Sequence, residues 1–280
     1  MRIRIGASSL WTKVLAVLLV SLVSACGKPS VAPAASPAES KPAASASAPA
    51  ASAAAPAPAV AANTPPAVFD ENFLKNEPKH YSQFREEVVI RYYFKDKRNG
   101  FFLDVGCAEW QLESSTYYLE SVLGWKGIGI DARKELAKDY AEHRPGTRFF
   151  NFLVTDHSGT EDPFYLTGRL SSGNKDHLEQ FGVKDAKPEE VEVPSITLND
   201  LLAHEKVPHI DFINMDIEGF EPAALAGFDI DRYQPTLVDI EAAPKTRDAI
   251  MKYFTDHGYR RMDEFDKVDN VNWYFEKKKP

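Results

Sequence analysis

Between residues 100 and 241, five short apolar runs each stop at or just before an acidic residue, and helical patterns separate most of them. The acids are Asp104, Asp131, Asp156, Asp216 and Glu241. The runs read as strands near 100–106, 126–131, 147–154, 209–215 and 236–241. Helical patterns fall near 80–97, 114–123, 133–143, 220–226 and 245–257, and two last strands near 259–262 and 271–276 form a hairpin. Strands that alternate with helices predict an α/β fold with a mostly parallel sheet covered on both faces. In such sheets, sites lie at the carboxyl ends of the strands. Helix capping accounts for an acid at one or two strand ends, but not for all five.

Residues 160–195 break the alternation. Pro163-Phe164-Tyr165-Leu166 and the segment 191–196 read as strands, and the polar stretch between them reads as an insertion with a loop. Thr197 with Asp200 three residues on marks the start of a short helix.

The first 66 residues are excluded from this fold. Residues 1–26 carry Arg2, Arg4 and Lys13 ahead of a short apolar core and end in Val23-Ser24-Ala25-Cys26, which resembles a bacterial lipobox. Lipidation of Cys26 would anchor the chain to a membrane without a spanning helix. Gly27, where an aspartate would favour the inner membrane, points to the outer membrane by analogy; without export the chain stays in the cytoplasm. Residues 27–66 read as a tether, because positions 28–66 hold 17 Ala, 9 Pro and 6 Ser and no aromatic residue. One domain remains, 67–280.

Charge and cysteine content narrow the function. The chain has 33 basic and 41 acidic residues, and residues 1–66 take five of the former and one of the latter. The remaining body is thus strongly acidic and unsuited to phosphate backbones, so nucleic acid is not an expected partner. Two cysteines, Cys26 and Cys107, exclude a disulfide framework and a cysteine-based zinc site.

The acids admit a nucleoside site. Gly106 lets the backbone turn beside a ligand, and the hydroxyls of Ser114, Ser115 and Thr116 open the next helix. Asp131, 27 residues after Asp104, stands where an acid accepts both hydroxyls of a ribose. No G-x-G-x-x-G is present, which argues against a dinucleotide and leaves a nucleoside with a small charged tail, such as S-adenosylmethionine.

From about 86 to 276 the chain resembles the FkbM family of S-adenosylmethionine-dependent methyltransferases. The similar stretches include Phe101-Phe102-Leu103-Asp104-Val105-Gly106, Leu123-Gly124-Trp125-Lys126-Gly127-Ile128, Arg144-Pro145-Gly146-Thr147, Val193-Pro194-Ser195-Ile196-Thr197-Leu198 and Asn214-Met215-Asp216-Ile217-Glu218-Gly219-Phe220-Glu221. The resemblance implies a seven-stranded, Rossmann-like class I methyltransferase sheet with a reversed last strand. It implies that Asp104 and Gly106 line the methionine end of the cofactor, whose carboxylate the hydroxyls and free amide groups of Ser115 and Thr116 would face, that Asp131 holds the ribose and that Asp156 meets the adenine. Asp216, Glu218 and Glu241 would form the catalytic mouth for the methyl acceptor, a hydroxyl of a small molecule or glycan. The departure is Trp110 or Gln111 where many members have a further glycine, and such bulk would reshape the cofactor pocket.

An acceptor hydroxyl needs a base or a metal. Carboxylates at one mouth suit Mg²⁺ or Mn²⁺, so a divalent metal stays open; the competing reading of Glu218 is a helix cap. His157 reads as a turn residue and Cys107 as a small packing residue. An export signal on a domain whose cofactor is made in the cytoplasm leaves a second reading open: an envelope-anchored binding or scaffold module without catalysis.

Overall fold

The computed structural model describes residues 68–180 and 188–278. The expected signal, Cys26 and the tether lie outside the described residues. Among those described, no helix is long and apolar enough to cross a membrane.

Helix α1 (Glu71–Asn76) is capped by Asp70, whose carboxylate accepts the N–H groups of Asn72 and Phe73. Helix α2 (Glu86–Phe94) buries Val88, Val89 and Ile90 against the sheet and ends on Lys95 in the left-handed region. It is shorter than the periodicity over 80–97 predicts. Strand β1 (Phe101–Val105) is followed by α3 (Tyr117–Ser121), β2 (Lys126–Asp131), a 3₁₀ turn at Lys134–Leu136, α4 (Ala137–His143) and β3 (Thr147–Asn151). Next come β4 (Leu153–Val154), β5 (Glu161–Leu166), α5 (Lys175–Gln180), β6 (Glu189–Ile196), α6 (Leu198–His204) and β7 (Phe212–Met215). Helices α7 (Glu221–Ala226) and α8 (Ile230–Tyr233), β8 (Leu237–Glu241), α9 (Arg247–Asp256), β9 (Tyr259–Arg261) and β10 (Asn272–Lys277) complete the chain.

Seven strands form one sheet in the order β3-β2-β1-β7-β8-β10-β9. All its pairs are parallel except those of β10, which runs antiparallel to both β8 and β9. This is the expected α/β sheet with the last strand reversed. The central strands are buried along nearly their whole length, as strands covered on both faces must be, which explains runs such as Phe101-Phe102-Leu103 without alternation. Phe102, Phe212, Leu237, Trp125 and Tyr274 join Val89 and Ile90 in one core cluster.

The expected single strand over 147–154 is two strands. β3 ends at Asn151; Leu153 and Val154 leave the large sheet and pair with Ser195 and Ile196 of β6. β5 pairs antiparallel with β6, as expected, so β4-β6-β5 form a small second sheet. The stretch read as a polar loop carries α5, which brings His177 back to the main sheet's edge.

Candidate active site

One cleft opens at the carboxyl edge of the parallel strands, lined by Asp104, Gly106, Ser115, Asp131, Asp216 and Glu218 among others. Gly106 turns at φ +81°, and a Cβ there would run into the carbonyl oxygen of Asp216. Only glycine lets the ends of β1 and β7 lie this close. Three non-glycine residues of the cleft also have positive φ: Ala108 at 48°, Glu113 at 62° and Glu218 at 56°. Strain of this kind persists where the surroundings over-determine it, and it collects at sites.

On the β1–β2 side, carboxylates are matched by donors. Thr116 Oγ1 donates to Asp104 Oδ2 at 2.6 Å, and Asn214 Nδ2 donates to Oδ1 at 2.9 Å. Burial raises the pKa of Asp104, and those two hydrogen bonds oppose the rise. Asp131 is buried at the end of β2. Its Oδ1 accepts the Arg133 N–H at 2.9 Å and Nε at 3.2 Å; its Oδ2 accepts the Ala108 N–H at 3.0 Å and Arg133 Nη2 at 3.2 Å. A carboxylate offers about four lone-pair positions, so the set is full.

Ser114 and Ser115 line the cleft, whereas Thr116 faces inward onto Asp104 rather than toward a ligand. The Ser114 hydroxyl accepts the N–H of Tyr117, and buried Arg144 reaches Glu120 at 2.5 Å, the Trp110 carbonyl at 2.8 Å and Thr116 Oγ1 at 3.1 Å. This network pins the loop between β1 and α3. Trp110 therefore turns away from the cleft: its ring stacks on His143 with centroids 4.3 Å apart. The bulk expected to reshape the cofactor pocket lies outside it. Cys107 packs with Leu136 and Tyr140, and burial pushes its thiol well above the ordinary range, so it stays protonated and inert.

Asp156 is not in the cleft. It is exposed and bonds His157 at 2.7 Å, because the chain leaves the main sheet three residues before it. Phe152, Leu153 and Val154 line the cleft there instead, an apolar wall suited to a flat base. His157 is an exposed turn residue, as expected.

On the β7–β8 side, the carboxylates face one another. Burial comes first, then the charges of Glu241, Glu218, Glu221 and Glu86, in pushing Asp216 well above the usual carboxylate range. Burial and the Glu218 charge likewise raise Glu241. Glu241 stands beside the cleft rather than in its wall, and its Oε2 is buried with no hydrogen-bond partner among the described residues. Asp239, mid-strand in β8, is buried with neither oxygen partnered.

Glu218 does not cap the next helix. No side chain among the described residues caps it: Glu221, the first residue of that helix, turns back and its Oε1 accepts the N–H groups of Ile217 and Gly219 in the preceding turn, both at 3.1 Å. Glu218 instead turns to His177, with Oε2 3.2 Å from Nε2. His177, Glu221, Asp239 and Arg144 were not among the expected site residues. Arg144 sits in a stretch quoted for the resemblance and carried that signal, whereas His177 is a lone histidine in a polar segment and carried none.

Comparison with curated proteins gives no match. Solved structures with a similar backbone share little sequence. One is a TehB-like SAM-dependent methyltransferase from Corynebacterium glutamicum, 14% identical over 74% of this chain and 94% of that one, TM-score 0.40. Fibrillarin from Aeropyrum pernix with natively bound S-adenosyl-L-methionine is 11% identical over 64% and 66%, TM-score 0.37. The 1,6-didemethyltoxoflavin-N1-methyltransferase of Burkholderia thailandensis is 10% identical over 68% and 74%, TM-score 0.35. The methyltransferase FkbM domain matches residues 99–261, which runs from β1 through β9 and contains nearly the whole cleft, and the chain belongs to that family.

Proposed function

We propose that this protein transfers a methyl group from S-adenosylmethionine to a hydroxyl oxygen of a small molecule or glycan. The observation that supports the reading is the cleft itself: Asp104, Gly106, Asp131 and Asp216, all within the matched residues 99–261, line one opening at the carboxyl edge of the sheet. The residues present fit the cofactor. Gly106 leaves room for close backbone approach, Phe152, Leu153 and Val154 give an apolar wall for adenine, and a sulfonium cation would relieve the crowded charge around Asp216.

When bound, S-adenosylmethionine supplies an activated methyl group: the acceptor oxygen attacks the methyl carbon, the carbon–sulfur bond breaks and its electron pair stays on sulfur. The protein's part is positioning and proton removal. Asp216, in the wall of the cleft at the end of β7, takes the acceptor hydroxyl's proton. Asp131 holds the ribose hydroxyls, which replace the guanidinium donors of Arg133 on its oxygens. Incubating the full chain with methyl-labelled S-adenosylmethionine and a panel of hydroxylated acceptors tests this reading. Label transfer with release of S-adenosylhomocysteine is expected. Failure to bind the cofactor at millimolar concentration would contradict it.

The location at the cell envelope, through a lipid on Cys26, belongs to the same proposal and rests on Val23-Ser24-Ala25-Cys26. Intact mass of membrane-extracted protein should show a lipidated chain that begins at Cys26; an intact Met1 would contradict the anchor.

A further inference from the structure

We infer that His177, Glu218 and Glu241 bind one divalent transition-metal ion, of the Mn²⁺ to Zn²⁺ kind, at the acceptor side of the cleft. One ligand atom from each of the three lies within 4.8 Å of the others. They come from three separate elements: α5, the turn after β7 and the last residue of β8. Chain folding, not local sequence, brings them together.

The arrangement is built rather than incidental. Ser172 Oγ donates to the Glu218 carbonyl at 2.8 Å, and Asn174 Nδ2 donates to the Gly219 carbonyl at 2.9 Å. These bonds tie the segment that leads into α5 to the turn 218–219. Gly219 turns at φ +82°, and a Cβ there would strike the His177 ring, so the turn admits the imidazole only with glycine. The ring is buried, with Nε2 toward Glu218. A simple histidine–glutamate pair accounts for those two residues. Among the described residues it leaves Glu241 Oε2 buried with no hydrogen-bond partner in good geometry, though Glu221 and Gly219 lie near enough to act on the carboxylate, and such an atom is costly. A cation within reach of all three supplies the missing partner and offsets two negative charges at one point.

One imidazole and two carboxylates form a mixed nitrogen–oxygen set. Imidazole suits zinc, iron and their neighbours, whereas Mg²⁺ and Ca²⁺ favour oxygen alone. Three protein ligands leave coordination positions for water and for an acceptor oxygen. An ion held there would supply Lewis-acid activation of an acceptor hydroxyl. This catalytic role rests on the methyltransferase reading; binding of the metal does not.

The test is titration of the full chain, stripped with a chelator, with Mn²⁺ followed by electron paramagnetic resonance and with Zn²⁺ followed by calorimetry. One ion per chain is expected, with Mg²⁺ a poor competitor. His177→Ala and Glu241→Gln, checked for native unfolding, should each weaken binding by at least roughly 10–100-fold, the loss typical of even an outer-shell change. The more conservative His177→Gln serves if the alanine variant does not fold. No binding at millimolar metal, equal binding by folded variants, or Mg²⁺ competing as well as Mn²⁺ would overturn the assignment. Titration with S-adenosylmethionine alongside separates the two readings. Metal binding without cofactor binding keeps the metal site and defeats the methyltransferase; cofactor binding without metal binding does the reverse.

Discussion

At β1 and β2, each carboxylate of the cleft is matched by donors; at β7 and β8, the carboxylates crowd one another. Asp104 is held by Thr116 and Asn214, and Asp131 by two backbone N–H groups and the fork of Arg133. Across the cleft, burial raises the pKa of Asp216, Glu221 and Glu241; the charge of Glu241 adds to the rise at Asp216 and Glu221, and that of Glu218 to the rise at Glu241. Among the described residues, oxygens of Glu221, Glu241 and Asp239 lack hydrogen-bond partners. A satisfied carboxylate fixes shape, whereas an unsatisfied buried one needs a proton or a cation. The first half is thus a ready-made frame. The second is poised for positive charge and proton transfer, as a reacting site should be.

The largest effect is expected where the halves touch. Gly106→Ala puts a methyl group against the Asp216 carbonyl in a left-handed backbone. A loss above about 4 kcal/mol is expected, in the range that marks a specific structural conflict. Denaturant unfolding measures it, and a near-native midpoint would show that the halves are not locked through this contact.

Asp216→Asn comes next. It keeps shape while removing the charge, so transfer should slow by roughly 10²–10⁴-fold. Cofactor affinity should fall less than turnover does, because the frame of Asp104 and Asp131 is untouched and only the attraction of the sulfonium is weakened. Equal turnover in variant and parent would remove Asp216 from the proton path.

Glu86 sharpens the same contrast through pH. It lines the cleft, and burial, with a further contribution from Asp269, pushes it up to about 7. Below the unfolded pKa of about 4.5 both states hold the proton. Between there and pH 7 only the folded state does, so stability falls as pH rises through this window and levels off above it. Glu86→Gln should match the parent near pH 4 and exceed it by up to about 3 kcal/mol at pH 8. Thermal unfolding across that range checks the sign; a gain that appears only at low pH would reverse the account.

The smallest effect belongs to the satisfied half. Arg133 occupies Asp131 positions that ribose hydroxyls need. Arg133→Ala should tighten cofactor binding by roughly threefold to tenfold, the scale of about one net hydrogen bond. Weaker binding in calorimetry would assign the guanidinium to the cofactor instead.

Much of this was legible in the sequence because parallel strands leave a simple mark. Apolar runs that end in an acid gave β1, β2, β7 and β8, and with them Asp104, Asp131, Asp216 and Glu241 at one edge. Asp156 misled because Thr147 through Val154 reads as one unbroken run, while the change of sheet at Phe152 is a matter of tertiary pairing. His177 was hidden for a related reason. Its helix is short and polar, and its partners, Glu218 and Glu241, lie 41 and 64 residues away. Glu218 is not a helix cap because the chain turns through the left-handed region at 218–219 and its carboxylate meets His177 instead. Spacing alone does not carry that choice.

The central claim is that the satisfied half is a frame for S-adenosylmethionine. Calorimetric titration of the full chain and of Asp131→Ala with S-adenosylmethionine tests it most directly. The parent should bind one molecule, and the folded variant should bind at least about tenfold more weakly, given about 1.5–3 kcal/mol for a hydrogen bond to a charged group. A parent that shows no binding at millimolar cofactor, or a folded variant with equal affinity, would contradict it.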